Sequence, residues 1–444
     1  MAPKPTRHLT NGSAPAAWVR AAGLAGLVLA GACNKPSSDN IQLWKTTEKG
    51  PERLHDALAD HGVEPRLRAE AAVALVDVGR SEDVDTTFQA LPADDRAAIA
   101  KSLEPLYEVV MKDPSPDKAL AYRDALYSLR QFVTPDEQKH IDGALVPVLE
   151  ADLKTGKLRQ GQHSIDKMLT AIGPDGAAML ARVLAEPEAS YPQAADLLGK
   201  IGDADTREKG GVALVARARA EKHGKGSERE DAIFKALGAV GGPSAVKFLE
   251  DKALGTNKDE AAFAVRALQE RRDPAVLPFA IKVASDTKAD KIVRDEMFGV
   301  IETIGGLEAQ RGLLGIISSD KEEIVRYRAF ESALTCGKVD AIQPALEAFP
   351  ASVAYKKVDV DDLLVKLIEK LGQPARPALV KTLESTSPLA RMAAVMTLEQ
   401  IGRAPDAAAL EKLAGDSTVV KGFPAGATIG KEASRVAQAV KSKP

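Results

Sequence analysis

Residues 299–305 read GVIETIG, and similar endings return at 331–337 (ESALTCG), 366–372 (KLIEKLG) and 396–402 (MTLEQIG). Earlier copies end at Gly79, Gly173, Gly202 and Gly241. In most copies an aliphatic residue lies four places before the Gly and another lies one place before it, and these two positions share one helix face. From Gly173 the spacings are 29, 39, 64, 32, 35 and 30 residues. The 64-residue gap holds a degraded copy with Arg272 at the Gly position. Pairs of helices repeating at this period predict an α-solenoid.

The residues around each Gly explain why one helix stops and the next begins. Glycine adopts the left-handed conformation that ends a helix more readily than other residues. Proline and aspartate follow closely, as in Gly173-Pro174-Asp175 and Ala404-Pro405-Asp406. Proline suits the first helical turn, and Asp caps it. The sequence therefore predicts an all-α protein.

This pattern resembles the HEAT family, particularly its short bacterial form, over about residues 52–414. The resemblance implies a right-handed, armadillo-like superhelix whose second helices line a concave face used for binding. In the family, a basic residue of the second helix pairs with an acid in the inter-helix turn or the next repeat. The residues matching that basic position lie eleven places before the Gly and are Arg68, Arg294, Arg326 and Arg391. Asp320, shortly before Arg326, is the expected acid.

The pattern divides the chain into five segments. We expect a signal peptide at 1–32, a lipidated Cys and flexible tether at 33–50, and divergent helical repeats at 51–162. HEAT-like repeats follow at 163–414, and a Gly-rich loop with a capping helix at 415–444. Within the tether, Leu43 and Trp44 are candidates to dock on the first helices. The loop tip Phe423-Pro424 is expected to pack over its own cap, with a contact to a partner as the alternative.

The first segment has the features of an export signal. Residues 1–20 are polar and basic, and residues 21–32 form an apolar run of 12 residues. This run is shorter than the roughly 20 residues that cross a bilayer as a helix, and it ends in small residues, as secretory signals do. Leu29-Ala30-Gly31-Ala32-Cys33 resembles a bacterial lipobox, which implies cleavage between Ala32 and Cys33 and lipid on Cys33. One departure is Ala30, where the family usually has Leu; Ala30-x-Ala32 also suits an ordinary signal peptidase, which would release a soluble protein.

Composition limits the possible partners. Aromatic residues are 4% of the 444-residue chain, and hydrophobic residues 45%. After removal of residues 1–32 the formal charge changes from −3 to −6, with 57 Lys and Arg against 63 Asp and Glu. A mildly acidic surface gives no electrostatic reason to expect nucleic-acid binding. The expected partners are another protein and, through the N-terminal lipid, a membrane.

The residue types that often carry chemistry have structural interpretations here. Cys336 occupies a slot that holds Ile, Val or Leu in other copies, so a buried thiol in the core is the favoured interpretation. His55 and His61 are six residues apart, which does not match the i, i+4 spacing of helical metal ligands. Acidic clusters near Asp231 and Asp362 suit helix starts, where they complement the helix dipole. No cofactor or metal site is therefore expected.

Arg271 and Arg272 replace the apolar slot and the Gly of their repeat. A frayed or rotated helix end that lets both charges reach water is the favoured interpretation, and a cationic spot on the binding surface is the alternative. We expect a non-enzymatic, exported, cell-envelope scaffold that binds protein along its concave face. Two alternatives stay open: an enzyme-associated role like that of the HEAT-like bilin lyases, and end-to-end self-assembly.

Overall fold

The computed structural model describes residues 35–111, 116–155, 161–220, 228–356 and 362–443, and all regular structure in these ranges is helical. The contacts divide the chain into two compact units that meet between Met179 and Leu180. In the described ranges no single helix is long and apolar enough to cross a bilayer; one sharply bent pair, Ile165–Ile172 with Pro174–Ala185, reaches that length and composition jointly. The predicted signal residues, including Ala32 and Cys33, lie outside the described ranges.

The described residues of the first unit form eight helices and the start of a ninth, which crosses the unit boundary. They are α1 (Ser38–Trp44), α2 (Gly50–Ala59), α3 (Pro65–Asp77), α4 (Ser81–Ala90), α5 (Ala93–Met111), α6 (Pro116–Arg130), α7 (Pro135–Thr155), α8 (Ile165–Ile172) and α9 (Pro174–Ala185). Neighbouring helices pack in sequence order, α2 on α3, α5 on α6 and α6 on α7. Helices α5–α7 occupy part of the stretch at 51–162 where divergent repeats were expected, and this stretch is helical as predicted in its described residues.

Residues 38–44 were expected within a flexible tether, and the structure corrects this. The Ser37 hydroxyl accepts a hydrogen bond from the Asn40 amide (3.2 Å) and caps α1. Ile41 and Trp44 lie three places apart on one helix face and are buried, at 0% and 2% exposed. Helix α1 contacts α2 and α3. Trp44 therefore docks as expected, whereas Leu43 points to solvent at 49% exposed.

In the second unit, the part of the chain that the structure describes continues with fifteen α-helices. They are α10 (Pro192–Ile201), α11 (Ala204–Ala220), α12 (Glu228–Val240), α13 (Pro243–Ala253), α14 (Lys258–Arg271), α15 (Leu277–Ala284), α16 (Lys291–Ile304), α17 (Gly306–Ser319), α18 (Glu323–Gly337), α19 (Ile342–Glu347), α20 (Leu363–Glu369), α21 (Arg376–Thr382), α22 (Pro388–Ile401), α23 (Ala407–Glu411) and α24 (Ile429–Lys441). Each even-numbered helix contacts the next even-numbered one from α10 to α24, and we call these helices the even row. The odd-numbered helices from α11 to α23 form the odd row. This stacking of helix pairs is that of an α-solenoid.

Small residues let the even-row helices approach closely. A Cβ on Gly199 of α10 would overlap the Ala239 carbonyl oxygen, and one on Gly238 of α12 would lie 2.8 Å from the Ala267 carbonyl oxygen. The aliphatic stripe predicted from the repeat lies in the core of the unit, where Leu237, Val240 and Ile301 are fully buried. The apolar face of each helix is thus covered by its neighbours, which is why the fold requires several repeats.

The helix ends follow the glycine prediction in part. Gly173, Gly241, Gly305 and Gly372 have positive φ, as predicted, and so does Gly79. Gly202 and Gly402 have φ of −71° and −66°, so the left-handed prediction is wrong for them. They need glycine for a different reason, since a Cβ at either position would crowd the carbonyl oxygen four places earlier. Gly337 is the last residue of its helix and has negative φ, and the residue with positive φ is the next one, Lys338.

The C-terminal segment consists of a cap and a loop that packs elsewhere. Helix α24 packs on α22 and α23 and buries Val436 and Val440. The loop before it does not fold over this cap as expected. Phe423 is buried beside Tyr355, with ring centroids 5.4 Å apart, and the Tyr355 amide donates to the Lys421 carbonyl (2.5 Å). The loop therefore ties the chain end to the segment between α19 and α20.

Candidate binding surface

The even-row face of the second unit carries an apolar groove of about 410 Å³. It crosses three successive even-row helices, and its apolar lining residues are Phe298 of α16, Ile324, Val325 and Tyr327 of α18, and Leu363 and Leu367 of α20. Ile324 is 63% exposed and Leu363 41% exposed. Most large aliphatic side chains here are buried, so this groove is a local departure from the pattern. We refer to it as the apolar groove.

Charged side chains surround the apolar groove and are largely paired with one another. The Arg294 guanidinium donates to both carboxylate oxygens of Glu322 (3.3 and 2.9 Å). This pairing raises the pKa of Arg294 and lowers the pKa of Glu322. Arg328 contacts Glu302 (2.9 Å), Glu331 (3.0 Å) and Asp295 (3.8 Å). Both arginines that line the groove thus form ion pairs with acids of the same chain.

Stacking and hydrogen bonds hold the floor of the groove in place. The Arg328 guanidinium lies over the Phe298 ring at 5.6 Å, a cation–π arrangement. Burial raises the pKa of the Tyr327 phenol to about 12, with a further contribution from Glu323. Tyr327 also packs against Phe349, with ring centroids 5.9 Å apart. The aromatic floor is therefore fixed before any ligand arrives.

A second, polar groove of about 660 Å³ lies nearer the N-terminal end of the even row. Its floor is formed by the small residues that let α10, α12 and α14 pack closely, among them Gly199, Gly238 and Ala267. Its rim carries both signs of charge, from Asp196, Lys200, Arg207, Lys235, Glu270, Arg271 and Asp273. We refer to it as the polar groove.

Arg271 and Arg272 take different places at the end of α14. Arg271 is 11% exposed; its guanidinium donates to Asp273 (2.9 Å) and to the Gly238 carbonyl of the previous even-row helix (3.2 Å). Burial raises the pKa of Asp273, but hydrogen bonds from the Ala275 amide and Arg271 more than offset this and lower it. Arg272 is exposed and has φ 56° and ψ 33°, the left-handed cap conformation. The helix end is therefore not frayed, and Arg272 occupies the Gly position with the Gly conformation.

The predicted repeat arginines reach across repeats. Arg68, 2% exposed, pairs with Asp95 (3.1 Å) and also donates to the Leu58 carbonyl (2.9 Å). Arg391 pairs with Asp416 (3.0 Å), and Arg294 with Glu322 as above. These acids lie 25–28 residues further along the chain, one repeat on.

The pairing expected between Arg326 and Asp320 is not found in the described ranges. The Asp320 carboxylate accepts instead from the Glu322 amide (2.8 Å) and shapes the turn before α18. The buried Arg326 Nε has no hydrogen-bond partner among the described residues. The reason is positional, since Asp320 precedes the helix start and is held there by the backbone.

The inter-helix ion pairs that were not predicted from the sequence include two in which an arginine binds both oxygens of an aspartate. Arg376 binds Asp406 through two bonds (2.9 and 3.0 Å), and Arg130 binds Asp142 in the same way (2.6 and 2.8 Å). Asp406 follows Pro405 and was interpreted only as a helix cap. An arginine thirty residues before that turn acid is the signal that could have identified the first pair.

The residues considered for chemistry have ordinary surroundings. The Cys336 Sγ is partly buried 4.0 Å from the Ile301 carbonyl oxygen, and burial raises its pKa to about 11. At neutral pH it is therefore a thiol rather than a nucleophilic thiolate. Asp362 caps α20 by accepting from the Val365 amide (3.2 Å). In the part of the chain that the structure describes, no three His, Cys, Asp or Glu side chains are arranged to hold a metal ion.

Comparisons with known proteins give structural likeness only. No protein-family model and no curated protein matches the sequence. Among solved structures, the chain is similar to a mutant of Kap121p at 13% identity and a TM-score of 0.43, over 88% of this chain and 49% of that one. It is similar to importin beta at 13% identity and a TM-score of 0.32, over 87% and 62%. An engineered protein shares 19% identity at a TM-score of 0.21, over 95% of both chains. The chain thus spans about half the length of the Kap121p chain that it resembles.

Proposed function

We propose that this protein is a non-enzymatic scaffold of the cell envelope that holds another protein on the even-row face of its second unit. The apolar groove carries this proposal. It exposes Ile324 and Leu363 on a preformed aromatic floor and surrounds them with charges that are already paired. Exposed apolar surface with a polar rim is typical of protein-interaction sites.

The location in the envelope rests on residues 1–33 of the sequence. A basic start, a short apolar run and Cys33 at its end support export followed by lipid attachment. A diacylated and amide-acylated cysteine supplies enough acyl chain for stable anchoring. The scaffold would then work at a membrane surface, with its described residues outside the bilayer.

The test is capture of partners from cross-linked native cells, followed by mass spectrometry. The bait is the full chain, compared with Ile324→Ser in the groove and with Leu307→Ser as its matched control. Leu307 is 74% exposed on the odd-row helix α17, at the same second position of its helix as Ile324. We expect one envelope protein in near-stoichiometric amount with the wild type and with Leu307→Ser, and much less with Ile324→Ser.

The same experiment with Cys33→Ala separates anchoring from binding. We expect the variant to leave the membrane fraction and to lose the mass of the lipid, while the purified protein still binds the captured partner. Equal recovery of every protein by wild type and Ile324→Ser would contradict the scaffold proposal. Membrane association unchanged in Cys33→Ala would contradict the lipid anchor alone.

A further inference from the structure

The apolar groove also constrains the chemistry of its occupant, and this inference rests on the scaffold function proposed above. We propose that the groove takes a short partner segment in which aliphatic side chains lie between carboxylates.

The aliphatic requirement follows from what the groove exposes. Ile324 and Leu363 project from neighbouring even-row helices, and the aromatic rings of Phe298 and Tyr327 lie in the lining between α16 and α18. Aliphatic side chains of a partner remove this surface from water without leaving a polar group unsatisfied. A groove of about 410 Å³ accommodates a few such side chains rather than a folded domain.

The carboxylates follow from the charges that remain after internal pairing. Glu322 is matched by Arg294, and Asp295 and Glu331 by Arg328. Lys291 and Lys370 also line the groove, are exposed, and have no ion pair among the described residues. Arg328 also pairs with Glu302, outside the lining, so the lining cations left without an ion pair among the described residues are these two lysines, and they are the surplus of positive charge. Acids on the partner gain from this surplus and bases are repelled.

The positions of the two lysines set the length of the segment. Lys291 begins α16 and Lys370 directly follows α20, with α18 between these helices in the even row. Packed helices are about 8–10 Å apart, so two steps span about 16–20 Å across the row, and the offset along the helix axes between the start of α16 and the end of α20 adds to this distance. An extended chain rises about 3.3 Å per residue, so at least about six residues are needed to reach from one lysine to the other. The segment is therefore a linear motif with an acid near each end.

The experiment measures three synthetic peptides against the full chain by fluorescence anisotropy. The acidic probe carries two leucines between pairs of glutamates, the basic probe has lysine for each glutamate, and the third has alanine for each leucine. We expect the acidic probe to bind at least about 10-fold tighter than either of the others. Its affinity should fall with added salt, since exposed charges are screened.

Variants of the groove and matched controls show where the probe binds. Lys291→Glu with Lys370→Glu should weaken the acidic probe about 10-fold or more and make the basic probe the tighter of the two. Lys282→Glu with Lys381→Glu, exposed lysines of the odd row, should leave both affinities unchanged. Ile324→Ser should weaken the acidic probe and Leu307→Ser should not.

The possible outcomes distinguish a failure of the acidic–aliphatic motif from a failure of the proposed scaffold function. Equal affinity for the three probes, no measurable binding, or tighter binding of the basic probe to the wild type would overturn the acidic–aliphatic motif. If cells nevertheless yield a partner whose capture depends on Ile324, the scaffold stands and only its proposed motif fails. If the acidic probe binds as expected but no partner is captured, the groove chemistry stands and the scaffold function fails.

Discussion

At the scale of single residues, two positions hold a backbone conformation that their side chains disfavour. Arg272 has φ 56° and Lys338 has φ 50°, and these are the described non-glycine residues with positive φ. Both stand at or next to the position where other even-row helices end in Gly. Arg272, with ψ 33°, is in the left-handed helical region, where Cβ crowds the following carbonyl oxygen at a cost of about 1–2 kcal/mol. The surrounding repeat fixes the turn, so the conformation persists without glycine.

Replacing Arg272 by Gly should therefore stabilise the protein. We expect Arg272→Gly to raise the free energy of unfolding by about 1 kcal/mol, since the relief of crowding exceeds the entropic cost of glycine. Urea denaturation followed by circular dichroism measures this. Arg272→Ala is the matched control, because it removes the same charge but keeps Cβ and should not stabilise. Equal midpoints for the two variants would show that φ at this position carries no strain.

Sequence alone located Arg272 but not Lys338, since the left-handed conformation was predicted for Gly337. The degraded repeat placed Arg272 at the Gly position, where a frayed or rotated helix end was the favoured interpretation, and the structure shows the left-handed conformation instead. The side chain of Arg271 was expected to reach water. It instead spans to the Gly238 carbonyl, because Gly241 leaves space at the end of α12 that a Cβ would fill and that a local pattern does not reveal. Such contacts join residues 33 positions apart and depend on how the helices stack.

At the scale of elements, the loop before α24 depends on one glycine. Gly422 has φ 90°, and a Cβ there would overlap the Tyr355 carbonyl oxygen. Next to it, Phe423 packs on the Tyr355 ring, and the Tyr355 hydroxyl donates to Asp362 at the start of α20. This contact joins the C-terminal loop to the segment that leads into the apolar groove. Loss of this contact should therefore destabilise both the C-terminal loop and the segment that contains Tyr355.

Gly422→Ala should detach the loop while the repeats remain folded. We expect the free energy of local opening to fall by roughly 2 kcal/mol, which is about 30-fold faster amide exchange at 418–428 and 350–356. Hydrogen exchange with mass spectrometry measures both segments. Gly426→Ala shares the positive φ without a neighbour within 4 Å, and Gly415→Ala has neither feature. An effect as large in Gly426→Ala would assign the loss to φ rather than to the contact with Tyr355.

Element boundaries were largely predictable, whereas the apolar groove was not. Proline, aspartate and Gly marked most helix ends, and the divergent stretch was also predicted to be helical. Ile292 and Ile324 lie thirteen places before their Gly, and both are exposed. Helix α20 begins at Leu363, whose exposed side chain lines the groove with Ile324. Which apolar residues the neighbouring helices leave uncovered depends on how the repeats stack, which a repeat pattern read in isolation does not fix.

At the scale of the second unit, stability depends on contacts between neighbouring repeats. Each even-row helix contacts the helices before and after it, and α24 ends the row by covering α22 and α23. In such an array the free energy of unfolding is a sum of repeat terms and nearest-neighbour terms. Damage to the cap should therefore decay with distance along the row rather than spread evenly.

Val436→Asp tests this, because Val436 is fully buried on α24. An unpaired carboxylate there should destabilise the end of the array by roughly 3 kcal/mol or more. We expect amide exchange to accelerate most at 429–441 and 388–411, less at 363–382, and little at 192–271. Val419→Asp places the same charge on a residue that is 58% exposed and should change none of these segments. Uniform acceleration across the unit would mean that these repeats unfold as one cooperative block, and the apolar groove would then depend on the cap as a whole rather than on its own three helices.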